Sequence, residues 1–330
     1  MKYRVVGREK QMPFRSIKQL TEQVKESVAQ VIVGKEEVVD LLLIALITSG
    51  HVLLEDVPGT GKTLLAKSLA KSLKLQFKRV QFTPDLLPSD LSGIHYYNQK
   101  TSDFEFRPGP LFTNLLLADE INRATPRTQS SLLECMEERQ VSIDGRSMVL
   151  EQPFMVIATQ NPIEHQGTFA LPEAQLDRFL FKIKMGYPTT VESVQLLKRF
   201  MMEQPLEALS AVASQQLIVE AQAAYRHVRI TDDLLNYIVS IVEATRQREE
   251  VAIGVSPRGM QALLRAVQVK AVMQGRDFVT PDDVKAMIKP TLAHRMTLRG
   301  MQKLQRSTEN ILNEIMEQIA VPTESEVSIS

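Results

Sequence analysis

The stretch Asp56-Val57-Pro58-Gly59-Thr60-Gly61-Lys62-Thr63 has the residue types and spacing of an anion cradle. Gly59 and Gly61 let backbone N–H groups wrap phosphates, and the helix that follows presents its positive N-terminal end to them. Lys62 is placed to reach the β and γ oxygens, Thr63 to ligate Mg²⁺, and Leu64 to continue the nucleotide-binding turn. The stretch matches the P-loop except at its first position, where Asp56 stands in place of the usual glycine. A glycine turn that merely starts a helix is the plainer alternative. The strand-like run before it and the helical run after it favour the phosphate site.

Further along, Leu115-Leu116-Leu117-Ala118-Asp119-Glu120 is an apolar run ending in two carboxylates. In phosphoryl transfer to water, Asp119 would hold Mg²⁺ and Glu120 would activate the attacking water. An acid pair after a strand is, on its own, as often a solvated turn; the upstream P-loop tips the balance. The run Phe154 to Thr159 ends in Gln160-Asn161-Pro162, which offers Asn161 as a polar group near the γ-phosphate, with an Asn-Pro turn as the alternative. Arg178 in Leu176-Asp177-Arg178-Phe179 and Arg258 in Ser256-Pro257-Arg258-Gly259 could each bring a guanidinium to a phosphate. A lone arginine is more often a surface charge, and spacing decides neither. The five histidines are scattered without the H-E-x-x-H spacing, so Mg²⁺ is the only metal expected.

These groups need elements to hold them. Residues 16 to 49 show apolar positions at helical spacing, most plainly in Glu36 to Ile47, and lead into a short apolar run, His51 to Leu54. After the glycines, Leu64, Leu65, Leu69, Leu73 and Leu75 mark an amphipathic helix. Val80 to Phe82, Leu115 to Ala118, Phe154 to Ala158 and Phe179 to Ile183 are further buried-strand candidates, so strands alternate with helices as in a parallel α/β sheet. Val141 to Arg146 reads as a hairpin turning at Asp144-Gly145. From Gly186-Tyr187-Pro188 onward the apolar period is helical throughout, with start signals at Thr231, at Ser256-Pro257 and at Thr280-Pro281. The expected layout is an α/β core over 1–187, an all-helical domain over 188–320 and a frayed tail over 321–330.

Composition closes off several classes. With 39 basic and 39 acidic residues the net charge is zero, and aromatic residues are 5%, so neither field nor stacking favours nucleic acid. Cys135 is the only cysteine, which rules out an intrachain disulfide; its neighbours Leu132, Leu133 and Met136 predict a buried, inert thiol. The longest apolar run, Leu41 to Ile47, is far short of the roughly 18 residues that span a bilayer, and no apolar signal core opens the chain. A cytoplasmic protein without membrane insertion is expected. Tyr96 and Tyr97, adjacent near a hairpin pattern, are expected to be packing residues rather than contacts for another molecule.

In order along the chain, the P-loop, LLLADE, ATQNP, LPEAQLDRF and SPRG resemble the MoxR group of AAA+ ATPases, over most of its length. The stretch Thr83 to Leu91 before Phe106 to Leu111 is similar to that family's helix-2 insertion. The resemblance implies a P-loop AAA+ core with a parallel five-stranded sheet, a C-terminal all-helical lid, and ATP in the cleft of a homo-oligomeric, usually hexameric, ring. It further implies Asn161 as sensor 1, Arg258 as the sensor 2 arginine and Arg178 as an arginine finger reaching a neighbour's γ-phosphate. Val33 and Gly34 resemble the segment that packs on adenine, and Arg123 and Arg127 are suspected interface residues. Members of the group resemble chaperones that act with von Willebrand factor A domain partners on protein clients, in maturation or cofactor insertion. A nucleic-acid-remodelling AAA+ motor is the alternative, disfavoured by charge and composition.

Overall fold

The computed structural model describes residues 11–55, 57, 59–162, 167–202, 205–300 and 306–322. Residues 323–330 of the expected tail, and His165, lie outside them. By contacts the described residues form two compact units, one built from those within 20–179 and 183–220, the other from those within 11–19, 180–182 and 221–322.

One sheet has five strands: β1 (Val52–Glu55), β2 (Phe77–Gln81), β5 (Leu115–Asp119), β8 (Met155–Gln160) and β9 (Phe181–Ile183), the first four of them in the first unit. Their spatial order is β2-β5-β8-β1-β9, and the β2–β5, β5–β8 and β8–β1 pairs are parallel. Central strands of a parallel sheet are covered on both faces and therefore read as unbroken apolar runs. That is what Leu115 to Ala118 and Met155 to Thr159 do, all of them buried. The edge strand β2 behaves differently: Phe77-Lys78-Arg79-Val80-Gln81 has no fully buried residue. Lys78, Arg79 and Gln81 break up its apolar residues, which is why the apolar run at Val80 to Phe82 caught only its end.

The helices of this part of the chain are α1 (Gln11–Ala29), α2 (Glu36–Ile47), α3 (Lys62–Ser72), which contacts β5, and α5 (Pro126–Glu138). From Leu41 to Ile47 α2 is buried without interruption, as expected of a helix apolar on every side. Leu132, Leu133, Cys135 and Met136 of α5 enter one cluster with Phe82, Leu91, Leu116, Phe154 and Phe179. Burial pushes the Cys135 thiol up to about 12, so the inert thiol read from the sequence is what the fold contains. His51, also buried, accepts from the Val156 N–H at Nδ1 (2.9 Å), which leaves its Nε2–H to donate to the Met136 carbonyl (2.9 Å). Burial is the main reason its pKa falls to about 4; the Met136 bond opposes the shift and the Arg139 charge adds to it.

The insertion before β5 is a short helix α4 (Pro88–Ser92) and an antiparallel hairpin of β3 (Gly93–Asn98) and β4 (Asp103–Pro108). Tyr97 is 53% exposed and makes an edge contact with the 68%-exposed Phe104, while Tyr96 is also exposed. The packing role expected for the two tyrosines is thus corrected: only the base of the hairpin, through Phe106 against Phe112 and His95, leans on the core. A second hairpin joins β6 (Gln140–Ile143) to β7 (Arg146–Val149). Its turn residues Asp144 (φ 48°) and Gly145 (φ 77°) are both left-handed, the Asp-Gly turn that matches strand twist.

The second unit is built on α10 (Asp232–Gln247), α11 (Pro257–Met273), α12 (Pro281–Leu292) and α13 (Thr308–Gln318). All three predicted starts are real caps. Thr231 and Ser256 accept from the backbone N–H of Leu234 and Gly259, and Asp283 accepts from the Thr280 N–H. To the helices the structure adds one small ribbon, β10 (Val251–Ile253) against β11 (Thr297–Leu298), too short to leave a strand signature. Among the described residues no helix is long and apolar enough to cross a membrane.

Candidate nucleotide site

Three adjacent strands end side by side. In the β1–β8–β5 ladder Glu55 faces Gln160 and Ala158 faces Ala118, so the residues that follow each strand gather at one edge of the sheet. Those residues are the P-loop after Glu55, the carboxylates Asp119 and Glu120, and Asn161, which is buried at the end of β8. Open parallel sheets place ligands at this carboxyl edge.

In the loop, Gly59 (φ +84°) and Gly61 (φ +87°) are left-handed, and an added Cβ at either would meet nothing within 4 Å. The loop therefore turns where only glycine turns freely, and its backbone faces open space, as a phosphate cradle requires. The Val57 carbonyl accepts from Thr60 Oγ1 (3.3 Å) and from Lys62 Nζ (3.2 Å), which folds the lysine back over the loop. Thr63 and Leu64 lie half-buried in the first turn of α3. Asp56 and Pro58 are outside the described residues.

Asp119 is held on both oxygens. Thr159 Oγ1 donates to Oδ1 at 2.6 Å, and Arg79 donates to Oδ2 from Nη2 (2.7 Å) and Nε (3.1 Å). Glu120 adopts φ 57°, ψ 50°, a left-handed conformation that costs a non-glycine residue roughly 1 kcal/mol and marks sites where surrounding structure dictates the backbone. Its N–H donates to Thr159 Oγ1 (2.8 Å), and its Oε2 receives Gln81 Nε2 (2.5 Å) and the Arg123 Nε (3.1 Å). A single hydroxyl thus ties the two acidic residues together.

The donor set suits Mg²⁺. Among the described residues no group of three or more His, Cys, Asp or Glu could cage a metal. One carboxylate and one hydroxyl beside an open cradle is the sparse, all-oxygen set with which magnesium sits beside phosphates.

The remaining predicted residues lie elsewhere. Arg178 donates to the Leu133 carbonyl (2.8 Å) and pairs with Glu137 (3.2 Å), so in this chain it rests on α5. Arg258 sits in the first turn of α11, in the second unit. Arg127 is exposed at the start of α5, whereas Arg123 is engaged by Glu120. Between α1 and α2, Val33 and Gly34 are half-buried; Gly34 has φ +68°, and a Cβ there would lie 1.8 Å from Glu192 Oε1. Next to it Lys35 Nζ donates to the Met185 (2.7 Å) and Gly186 (3.3 Å) carbonyls.

Sequence reasoning missed Arg79, Gln81 and Thr159. The signal for the first two was there: polar residues two apart on a strand share a face, and β2 pairs with the strand that carries the carboxylates.

The comparisons with known proteins agree with this geometry. Residues 51–181 match the ATPase family associated with various cellular activities (AAA), and residues 243–315 match the AAA lid domain. The chain is 50% identical over 300 residues to an uncharacterized protein, YeaC, of Bacillus subtilis, covering 91% of this chain and 94% of that one. It is 41% identical over 305 residues to the chaperone MoxR1 of Mycobacterium tuberculosis, covering 89% and 80%. A crystal structure of a protein assigned as an ATPase from Cytophaga hutchinsonii superposes with a TM-score of 0.89 at 37% identity, covering 94% of this chain and 98% of that one. Nucleotide binding and ATP hydrolysis come with these matches at the general level, and the chain belongs to the MoxR family of AAA+ ATPases.

Proposed function

We propose that the chain hydrolyses MgATP as a subunit of a ring, hexameric as is usual for the group, and uses the cycle to remodel protein clients. The reading rests above all on one observation: the P-loop and the Asp119–Glu120 pair meet at one edge of three adjacent parallel strands. In it the backbone of Gly59 and Gly61 and the Lys62 ammonium bind the phosphates, and Val33 and Gly34 border the adenine. Thr63 and Asp119 would hold Mg²⁺, which supplies charge neutralisation at the β and γ oxygens. Glu120 orients the water and takes its proton, and buried Asn161 fixes that water against the γ-phosphate. Arg258 serves its own subunit's nucleotide.

Arg178 is assigned to the neighbour's γ-phosphate. Arg178 and its Glu137 partner are each about one-third exposed, and exposed ion pairs are worth roughly 1 kcal/mol or less, so what the guanidinium gives up on leaving α5 is that pair and its bond to the Leu133 carbonyl, the latter worth about 1 kcal/mol. A finger supplied in trans is worth about 10³ to 10⁵ in rate, which makes assembly the switch for activity.

The name of the Mycobacterium tuberculosis relative supports the chaperone role, and the exposed Tyr97–Phe104 pair offers an apolar contact for a client. A von Willebrand factor A domain protein is the expected partner. The test is ATPase rate per subunit against protein concentration, with mass determined in parallel and Glu120→Gln used to hold the ATP state. Specific activity should rise as rings form; a concentration-independent monomeric ATPase would refute the ring.

A further inference from the structure

Helix α7 (Thr190–Met202) is tied at both ends to the stretch of chain that carries Val33 and Gly34. Just before the helix, the Met185 (2.7 Å) and Gly186 (3.3 Å) carbonyls accept from Lys35 Nζ, and near its far end Arg199 Nη1 donates to the Ala29 carbonyl (2.7 Å). Residues 185–199 therefore lie antiparallel to residues 29–35. Between the two anchors Glu192 lies over Gly34.

The Glu192 carboxylate has one oxygen in a cap and one against the glycine. Its Oε2 accepts from the Thr189 N–H (2.6 Å) while the Glu192 N–H donates to Thr189 Oγ1 (3.3 Å), the reciprocal bonding of a capping box. The other oxygen, Oε1, stands where a side chain at Gly34 would be, so residue 34 has room for nothing larger than glycine. The bond from the Thr189 N–H, with the Lys35 charge beside it, holds the Glu192 carboxyl below the usual carboxylate range and keeps it an anion at neutral pH.

We propose that Glu192 is a specificity-determining residue for the nucleobase, its Oε1 accepting a hydrogen bond from the exocyclic 6-amino group of adenine. The inference rests on the functional reading above, in which Val33 and Gly34 border the base. Complementarity carries it: an ionised carboxylate offers acceptors only, and the 6-amino group is the one donor on the adenine ring, whose ring nitrogens are acceptors. Preorganisation adds to it. With Oε2 held by the cap and the helix held by Lys35 and Arg199, Oε1 is a fixed acceptor and little freedom is lost when a base arrives. The glycine lets a flat ring approach the backbone, and the group beside that backbone is the one that matches the amine.

The test is a cycle that removes each partner in turn. Displacement of a ribose-labelled fluorescent ADP is measured with unlabelled ADP and with purine riboside diphosphate, which lacks only the 6-amino group. The proteins are the full chain, Glu192→Gln, Glu192→Ala and Lys62→Ala. A hydrogen bond to a charged group at a partly exposed site should make the parent prefer ADP about tenfold, and Glu192→Ala should bind the two ligands alike. Glu192→Gln keeps the cap and a carbonyl oxygen without the charge, and should fall between them. A residue that only caps α7 would weaken both ligands equally and leave the preference unchanged. An ADP preference that survives in Glu192→Ala, or a parent that shows none, overturns the base-reading role. Lys62→Ala binding ADP as tightly as the parent would instead overturn the nucleotide site on which the inference stands.

Discussion

Thr159 and Asp119 are bound to each other across the β5–β8 boundary, the threonine hydroxyl donating to the carboxylate Oδ1 at 2.6 Å. The Thr159 oxygen also accepts from the Glu120 N–H, so one side chain on β8 aims a carboxylate and holds the strained backbone that follows it. Partners that orient a metal ligand typically matter by about 10- to 100-fold. Thr159→Val keeps the shape and removes the hydroxyl. It should cut ATPase activity by that factor while nucleotide still binds through the P-loop, as read by a fluorescent nucleotide. Turnover equal to the parent would show that Thr159 only packs.

Arg178 offers a test that separates a finger from a structural arginine. Its contacts in this chain are the Leu133 carbonyl and Glu137, both on α5. If the guanidinium acts on a neighbour, Arg178→Ala should bind nucleotide and assemble but lose about 10³-fold or more in hydrolysis. Glu137→Gln, which loosens its hold, should hydrolyse at least as fast as the parent per assembled subunit. If instead the ion pair merely braces α5, the two variants would lose activity and melting temperature together.

How much of this could be read beforehand depended on where each residue sits in the sheet. β1, β5, β8 and β9 are strands whose apolar runs announce themselves, and the chemistry at the ends of β1 and β5 follows a motif in which backbone geometry forces the residue types. β2 lies at the sheet edge, where half of each face is wet, so Lys78, Arg79 and Gln81 erased the apolar run that the search relied on. Arg79, Gln81 and Thr159 were missed for a related reason: the strand pattern can put Arg79 and Gln81 on one face, but what that face and Thr159 meet depends on side-chain contacts across strands far apart in sequence. The Asp-Gly hairpin and the helix caps were legible because their signals are local. The exposed Tyr97–Phe104 pair was misjudged because burial of an aromatic depends on what lies beneath the hairpin tip, which no local pattern records.

His51 makes stability pH-dependent in a known direction. It is neutral and buried, with folded pKa about 4 against 6.5 in the unfolded chain. Between those values the unfolded state binds the extra proton, so the contribution is complete above pH 6.5 and is lost as pH falls toward 4. The whole shift corresponds to about 3 kcal/mol. Urea midpoints measured between pH 7 and pH 4.5 should fall steadily, and His51→Gln, less stable at pH 7, should show a shallower slope. Parallel slopes would mean that other groups set the acid sensitivity.

Asp283 shows where the second unit is most vulnerable. It is only 2% exposed, yet it accepts from Arg276 Nη1 and Nη2, each at 2.7 Å, and from the N–H and hydroxyl of Thr280 at 2.8 and 2.9 Å. It therefore caps α12 and neutralises a guanidinium at once. Breaking a buried pair from one side costs about 3 to 5 kcal/mol because the other charge is stranded. Arg276 still reaches water, which places Asp283→Asn near the lower end, about 3 kcal/mol. Replacing both members with apolar residues strands no charge, so Arg276→Met with Asp283→Leu should cost less than Asp283→Asn alone, leaving mainly the lost cap of about 1 kcal/mol. The readout is the unfolding transition of this unit in urea, followed by circular dichroism. Additive losses in the double variant would show that the four bonds to Asp283 act independently and that the pair is not a coupled unit.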